Sequence, residues 1–262
     1  MLTDADADVA IAAAQAGATV ALAAFGTDLD HHAKEGVDFA TDADVAAERA
    51  IRASLAAARP DDGVVGEELG STGGTTRRWL VDPICGTLNF AAGLPLFAVN
   101  VALEVDGVPA VAAVADPPAG TVTWCDGGGA FVRTAAGDAP VRPSASSRLV
   151  VVNLESHYPG RSGLHLLDDV AFRASFFPRV VSSTLGLAWV AAGRAAAYVS
   201  GGRLHGSVHF TAGIALCQAA GAVVTALDGG PLGPEADGLI AAADAGTHAA
   251  LLDRLRELAV ER

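Results

Sequence analysis

One segment near the end of the first third of the chain constrains the fold more than any other. The apolar run at residues 79–81, Trp-Leu-Val, is typical of a buried strand. It continues directly into Asp-Pro-Ile-Cys-Gly-Thr at residues 82–87. A buried strand that ends in polar and turn-forming residues holds functional side chains at the edge of a rigid scaffold. The segment therefore predicts an α/β protein with a site at this strand end.

The rest of the chain alternates between helical and strand patterns. Apolar residues at helical spacing predict helices, and short apolar runs bounded by turn residues predict strands. Helices are expected over residues 4–25, 42–58, 185–192 and 210–220, and strands over residues 64–65, 149–154 and 195–199. The Gly-, Ser- and Thr-rich residues 69–78 predict a mobile loop, and residues 130–143 predict further edge strands.

A hairpin follows the residue 82–87 motif. Apolar runs at residues 97–105 and 108–115 are joined by Asp-Gly at residues 106–107, which is a strong hairpin signal. Because the second strand returns antiparallel to the first, Asp116 is expected near the same end of the sheet as Cys85.

Composition limits the class of protein. A 262-residue chain that is 51% hydrophobic can bury a sizeable core. Its net charge of −13 argues against nucleic acid and anionic membranes as partners. The chain opens without a signal-peptide pattern and has no uninterrupted apolar run of about 18 residues, which predicts a soluble cytoplasmic protein. Its three cysteines form no C-x-x-C spacing, so free thiols are expected.

Five ordered segments resemble the inositol monophosphatase superfamily. Residues 82–87 resemble the family's Asp-Pro-Ile-Asp-Gly-Thr, and Gly-Glu-Glu at residues 66–68 resembles its Gly-Glu-Glu. Residues 34–44 resemble its Lys-x-x-x-Asp and Thr-x-x-Asp segment. Residues 190–194 match Val-Ala-x-Gly-Arg, and residues 208–213 stand where Trp-Asp-x-Ala-Ala-Gly is expected. Together the segments cover most of the chain.

The resemblance implies a layered α/β/α/β/α sandwich of the inositol monophosphatase and sugar phosphatase type. It also implies two tightly joined halves. Residues 1–147 would form an N-terminal α/β half that carries the Cys85 loop and the hairpin. Residues 148–262 would form a C-terminal α/β half that carries His209. A homodimer is a further expectation from the family.

Two departures from the family pattern bear on function. Cys85 replaces the second Asp of the family's Asp-x-x-Asp, and His209 replaces the Asp of its Trp-Asp. In the resembling phosphatases these carboxylates hold magnesium together with groups equivalent to Glu67, Asp82 and the Ile84 carbonyl. Magnesium prefers oxygen ligands, so thiol and imidazole are expected to weaken the site, and no metal or other cofactor is assigned.

Other family positions are partly retained. The acidic residue that contacts the inositol ring aligns with Gly202 or its neighbour, and the family's Gly-Arg-x-Asp ends in Ala196. Asp38, Asp44 and Thr87 are in place. These changes predict that inositol phosphates are poor substrates.

The same departures suggest a different chemistry. Because both replaced carboxylates bind one metal ion in the similar fold, Cys85 and His209 are expected within hydrogen-bond distance. A Cys-His pair supplies a nucleophile and its base. Backbone N–H groups of Gly86 and Thr87, at a helix start, are expected to stabilise a thiolate and to form an oxyanion hole. Asp116 is the first choice to orient His209.

Asp82 and Glu67 are the alternatives for that orienting role. A Cys-His-Asp site on this scaffold is similar to the Dieckmann cyclases of tetramate and pyridone polyketide biosynthesis. The resemblance implies a cysteine-nucleophile cyclase or acyltransferase of antibiotic biosynthesis. Its substrate would be a thioester on an acyl or peptidyl carrier protein. Two alternatives stay open: a divergent phosphatase-like hydrolase with zinc or iron bound by mixed O, N and S ligands, and an inactive binding protein with the phosphatase fold.

Overall fold

Helices and strands alternate along the chain of this computed structural model, which describes residues 5–28, 30–33, 39–154 and 162–260. The family-like Lys34 and Asp38 therefore lie outside the described residues. The helices are α1 (Ala5–Ala24), α2 (Asp42–Ala58), α3 (Thr87–Ala91), α4 (Ser162–Asp168), α5 (Val170–Ser175), α6 (Leu185–Ala191), α7 (Thr211–Ala220) and α8 (Ala245–Val260). The strands are β1 (His31–Ala33), β2 (Phe39–Thr41), β3 (Gly63–Gly66), β4 (Gly70–Thr72), β5 (Arg77–Cys85), β6 (Ala98–Val105), β7 (Val108–Asp116), β8 (Thr121–Asp126), β9 (Gly129–Thr134), β10 (Gly137–Pro140), β11 (Leu149–Asn153), β12 (Phe177–Val180), β13 (Ala197–Arg203), β14 (Val223–Thr225) and β15 (Asp237–Ala242).

Two large sheets form the framework. The eight-stranded sheet has the order β10-β9-β8-β7-β6-β5-β3-β4, in which only the β3–β5 pair is parallel among the described strands. The five-stranded sheet has the order β12-β11-β13-β15-β14, with parallel pairing on both sides of β11. A separate β1–β2 ladder precedes α2.

Helices cover these sheets in layers. The apolar faces of α1 and α2 pack on one face of the eight-stranded sheet, around Trp79 and Val101. Helices α6 and α7 lie between the two sheets, where Leu187 and Leu216 share a core with residues of both. Helices α4, α5 and α8 cover the outer face of the five-stranded sheet. The predicted α/β/α/β/α sandwich is confirmed, while the division near residue 147 stays a prediction.

Helix α1 is long and apolar enough to cross a membrane by length and composition alone. In the fold, however, one side of it is buried against α2 and the eight-stranded sheet. Its fully buried Asp6 pairs with Arg59 at 2.9 Å and Arg77 at 3.1 Å. A buried carboxylate paired with two arginines of the same fold indicates a core helix rather than a membrane span.

Two glycines bring the middle helices close to their neighbours. A Cβ added to Gly186 in α6 would lie 2.6 Å from Cδ2 of Tyr198, and one added to Gly213 in α7 would lie 2.6 Å from Cδ1 of Leu187. Such distances are well inside van der Waals contact. The core between the sheets therefore requires the smallest side chain at both positions.

A β-bulge in β5 decides which residues face the site. The four residues from Asp82 to Cys85 oppose only three residues of β6, because Asp82 pairs with Asn100 and Cys85 with Ala98. Alternation along a strand would otherwise place Asp82 and Cys85 on opposite faces. With the bulge, Ile84 packs among the aromatic residues beside α1, while Cys85 joins the core between the sheets. Both Asp82 and Cys85 consequently face α6 and α7.

Most of the predicted elements are present. The hairpin turns at Asp106 and Gly107, which have φ values of 53° and 79°. Gly221 ends α7 with a φ of 90°. Residues 69–78, expected to be a loop, instead contain β4 and the start of β5. No pattern identified in the sequence predicts β8, β12, β14, β15 or α8.

Candidate active site

Two neighbouring strands each deliver one carboxylate to the same edge of the eight-stranded sheet. Strands β3 and β5 are parallel, with Gly66 beside Val81, so the residues that follow them are also neighbours. The Glu67 amide donates to the Val81 carbonyl at 3.2 Å, which fixes the turn after β3. Asp82 is fully buried, whereas Glu67 remains partly exposed. The predicted site residues Glu67 and Asp82 therefore lie side by side.

His209 reaches these carboxylates from the opposite layer. It precedes α7, and its amide donates to Ser207 Oγ at 3.3 Å. Its Nδ1 lies 2.8 Å from Asp82 Oδ2 and 3.7 Å from Glu67 Oε2. Asp82, one of the alternatives to Asp116, is thus the carboxylate that orients the imidazole.

The three side chains form a group that could hold a metal ion. One ligand atom from each of Glu67, Asp82 and His209 lies within 4.8 Å of the others. The second oxygen of Asp82, Oδ1, is buried and has no hydrogen-bond partner among the described residues. A buried carboxylate oxygen without a partner costs free energy unless a cation or a donor approaches it. The donor set and this oxygen both fit a divalent cation with mixed N and O ligands.

A hydrogen-bonded chain holds the Cys85 thiol. Asn100 Nδ2 donates to Thr184 Oγ1 at 2.7 Å, and the Thr184 hydroxyl donates to the His209 carbonyl at 2.7 Å. Since that hydroxyl has one proton, the Cys85 S–H donates to Thr184 Oγ1 over 2.9 Å. The Thr184 amide in turn donates to Cys85 Sγ at 3.3 Å. The contacts assign Cys85 a role in joining the two layers.

The protonation state of Cys85 agrees with that role. Burial, followed by the negative charge of Asp82, raises the pKa of the thiol well above its ordinary value. A reactive cysteine needs the opposite shift, because only the thiolate is a strong nucleophile. The raised pKa favours the protonated thiol over the expected thiolate beside Gly86 and Thr87, because burial and Asp82 outweigh the hydrogen bonds with Thr184 that lower the pKa.

A second pair of polar residues lies beside the metal-binding group. The Thr87 hydroxyl is 3.3 Å from Asp44 Oδ1 and 3.1 Å from the Ile84 carbonyl. Oδ2 of Asp44 accepts hydrogen bonds from the Thr41 amide at 2.7 Å and the Thr41 hydroxyl at 2.6 Å. Burial nevertheless raises the pKa of Asp44 to about 6. A carboxylate with this pKa can exchange a proton near neutral pH.

Glu67, Asp82, Cys85, Thr87 and His209 line a cavity of about 150 Å³ between the two sheets. The eight-stranded sheet and α3 contribute one side of it, including Glu67, Asp82 and Thr87. The other side includes Asn153 and Ser182. Gly86 begins α3 with a φ of 104°, and a Cβ there would lie 2.9 Å from the Leu96 carbonyl. Only glycine fits this turn.

Asp116 lies at the expected end of the sheet but outside the cavity lining. It ends β7, two strands away from Cys85. Its Oδ1 accepts the Ala119 amide at 3.1 Å, which caps the turn that follows. Burial raises the pKa of Asp116 above its ordinary value. The structure gives it a turn-forming contact and places Asp82 beside His209.

Three residues around the cavity were not identified from the sequence. Thr184 and Asn100 connect Cys85 with the His209 carbonyl, and Asn153 ends β11, which lies between β12 and β13. Thr184 is 99 residues from Cys85 along the chain. Nothing in the local sequence signals such a contact, because a lone Thr after two serines is typical of a loop.

Known proteins resemble the chain over nearly its whole length. The sequence profile of the Inositol monophosphatase family matches residues 3–259. An "Inositol-1-monophosphatase" of Caulobacter vibrioides is 35% identical over 240 residues, which cover 88% of this chain and 92% of the relative. A "Histidinol-phosphatase" of Mycobacterium tuberculosis is 44% identical over 121 residues, which cover 46% of each chain. The solved structure of the extragenic suppressor protein suhB from Bartonella henselae has a TM-score of 0.85 and 28% identity, covering 95% of this chain and 97% of that one.

These findings contradict part of the sequence-based interpretation. The matched relative that spans the whole fold is named as a phosphatase, so the cysteine-nucleophile cyclase or acyltransferase was a wrong prediction. The predicted resemblance to Dieckmann cyclases was also wrong, as was the polyketide and thioester chemistry that it implied. The contacts of Cys85 offer a physical reason, because its protonated thiol joins the two layers of the fold.

Proposed function

The chain belongs to the inositol monophosphatase family, and we propose that it is a phosphomonoester hydrolase that requires a divalent metal ion. The proposal rests on one observation above all, the convergence of Glu67, Asp82 and His209 around a cavity. The phosphatase names of the relatives support this class of reaction. Three unpaired cysteines are compatible with a cytoplasmic location, which is part of the proposal.

The ligand set distinguishes this site from an all-oxygen magnesium site. Two carboxylates and an imidazole match zinc, manganese or iron better than magnesium, which prefers oxygen ligands. Glu67, Asp82 and His209 would hold the ion, with Asp82 Oδ1 as the oxygen that lacks another partner among the described residues. Cys85 belongs to the Thr184 network beside them. A divalent ion supplies Lewis-acid stabilisation of the negative charge on the phosphoryl oxygens.

The protein's own proton transfer would run through Thr87 and Asp44. A water molecule that attacks phosphorus must lose a proton, which the Thr87 oxygen can accept while its own proton passes to Asp44 Oδ1, 3.3 Å away. With a pKa of about 6, Asp44 is mostly ionised at neutral pH and able to take that proton. The rate should therefore rise with pH around 6 and level off above it.

The start of α3 is suited to hold the phosphate. Gly86, Thr87 and Leu88 all line the cavity, and the first amides of a helix have no intrahelical partner. The remaining part of the substrate, the alcohol, is not assigned by the relatives, since one is named for inositol and another for histidinol.

The metal requirement is tested by calorimetric titration with zinc, manganese and magnesium, combined with phosphate release from a series of phosphate esters. Removal of the imidazole in His209→Ala should weaken zinc binding by at least about tenfold. The matched control is His205→Ala, which removes an exposed histidine four residues earlier in the chain. It should bind zinc as the unmodified protein does.

A substitution that places a carboxylate oxygen at position 209 provides a more specific test. His209→Asp converts the donor set to three carboxylates, so the ratio of zinc to magnesium affinity should fall. An unchanged ratio of zinc to magnesium affinity would show that His209 does not bind the metal ion. Metal binding without hydrolysis of any ester would favour the inactive binding protein over the proposed enzyme.

A further inference from the structure

The last residue of β11 carries a buried polar atom that the proposed reaction does not use. Asn153 is 7% exposed and lines the cavity from the side of the five-stranded sheet. Its Oδ1 has no hydrogen-bond partner among the described residues. Burying an amide oxygen in this way costs free energy when no donor reaches it. Because Asn153 Oδ1 lies at the cavity wall without a partner among the described residues, it is suited to accept a hydrogen bond from a ligand.

The position of Asn153 separates it from the reacting groups. Backbone pairing of Asn153 with Ser200 holds the end of β11 against β13, the middle strand of the five-stranded sheet. Glu67 lies in the turn after β3, Asp82 lies in β5 and Thr87 begins α3, all on the side of the eight-stranded sheet. A phosphate beside these three residues would leave the alcohol part of the ester toward the wall that contains Asn153.

The charges around the cavity restrict the donor. Glu67 and Asp82 are acidic, and none of the described residues that line the cavity is lysine or arginine. These two carboxylates and a phosphate dianion together exceed the charge of one divalent ion. A cationic donor is therefore bound better than a neutral one, and a second anionic group is disfavoured. A cavity of about 150 Å³ has room for a small alcohol beside the phosphate.

We propose that Asn153 selects the substrate by accepting a hydrogen bond from the alcohol part of a small phosphate ester, with an amine preferred over a hydroxyl. The proposal rests on the phosphatase function proposed above. Asn153 is a specificity-determining residue in this scheme, because its carbonyl oxygen contacts the substrate away from phosphorus. Esters without a donor leave this oxygen buried and unpaired, which lowers their affinity.

Three esters of equal chain length test the proposal: propyl phosphate, hydroxypropyl phosphate and aminopropyl phosphate, the latter two substituted at the far end. For the unmodified protein we expect kcat/KM to be about tenfold higher for the amine than for propyl phosphate, with the hydroxyl between them. In Asn153→Leu this preference should disappear. In Asn153→Asp the preference for the amine over the hydroxyl should increase. Gln15→Leu removes an exposed amide on α1 and should leave the preference unchanged.

A binding measurement separates failure of this inference from failure of the phosphatase proposal. Propylphosphonate and aminopropylphosphonate cannot be hydrolysed, so their affinities for the zinc-loaded protein report recognition without turnover. Tighter binding of the aminopropyl compound, lost in Asn153→Leu, supports the role of Asn153 even if no ester is hydrolysed. Equal binding of the two compounds overturns it. An equal loss of activity toward all three esters in both Asn153 variants also overturns it, since that result assigns Asn153 to structure alone.

Discussion

Asp44→Asn should make the protein more stable at neutral pH while it abolishes the proposed hydrolysis. Asp44 is fully buried, and burial raises its pKa from 3.8 to about 6 despite the two hydrogen bonds from Thr41. The Asp44 carboxyl therefore ionises at a lower pH in the unfolded chain than in the folded protein. Because proton binding is linked to folding, the difference between the two pKa values corresponds to a loss of about 3 kcal/mol in the free energy of unfolding.

The sign follows from proton binding. Between pH 3.8 and about 6 the folded protein holds a proton at Asp44 that the unfolded chain has lost. The free energy of unfolding therefore falls as pH rises through this range, and the whole penalty is present above pH 6. At pH 5 about half of the 3 kcal/mol should be recovered.

Asparagine has the shape of the neutral carboxyl and can keep its contacts. Its Oδ1 can accept from the Thr41 amide and hydroxyl, and its Nδ2 can donate to Thr87, whose hydroxyl then donates to the Ile84 carbonyl. Asp44→Asn should thus gain up to about 3 kcal/mol at pH 7.5, and the gain should shrink toward pH 5. Catalysis should fall by about 10²–10⁴, because the amide cannot accept the proton.

Urea unfolding of the metal-free protein at pH 7.5 and pH 5 measures the effect, and phosphate release measures the activity. Asp253→Asn, which changes an exposed carboxyl of α8, is the control and should alter stability little at either pH. If Asp44→Asn is less stable than the unmodified protein at pH 7.5, burial is not the dominant effect on this carboxyl and the reasoning fails. Full activity of the variant would exclude Asp44 as the base.

Three further predictions concern residues around the site. Cys85→Ser should keep phosphatase activity within about threefold, because a hydroxyl can still donate to Thr184, and loss of all activity would reinstate a role for the thiol in the reaction. Glu48→Gln should weaken zinc binding about tenfold, measured by competition with a chelator. The buried Glu48 carboxylate accepts hydrogen bonds from the Glu68 amide at 2.7 Å and the Leu69 amide at 3.2 Å, and so fixes the turn that carries Glu67. Unchanged zinc affinity would show that other contacts hold this turn. Gly186→Ala should lower the free energy of unfolding by about 1–3 kcal/mol in urea, whereas Gly127→Ala, where a Cβ meets no atom within 4 Å, should not.

Local patterns predicted much of the fold because their physical causes are local. The α2 helix begins and ends at the expected residues, Asp42 and Ala58. The Asp106-Gly107 hairpin depends on two residues that tolerate positive φ, which is readable from the sequence. By contrast, β12 and β14 are short strands whose pairing partners lie far along the chain, so no local signal identifies them.

The candidate site was only partly predictable for the same reason. Glu67, Asp82, Cys85 and His209 all line the cavity. Asp82 was expected beside His209 only as an alternative to Asp116, and the contact of Cys85 with Thr184 was not predicted, because both hydrogen bonds depend on how two layers meet. The bulge in β5 adds one residue to the alternation, and sequence periodicity alone gives no indication of it.

The layer formed by α6 and α7 has a consequence for the chemistry. Thr184 precedes α6 and His209 precedes α7, while Asp82 belongs to the sheet beneath them. The packing of this helix layer therefore affects the distance between the His209 imidazole and the Asp82 carboxylate. Gly186 sets how closely α6 approaches Tyr198 of β13, and Gly213 sets how closely α7 approaches Leu187 of α6, so a methyl group at either position would displace one of these helices. The metal preference of the site could then be tuned from within the core, without changing any residue that contacts the ion.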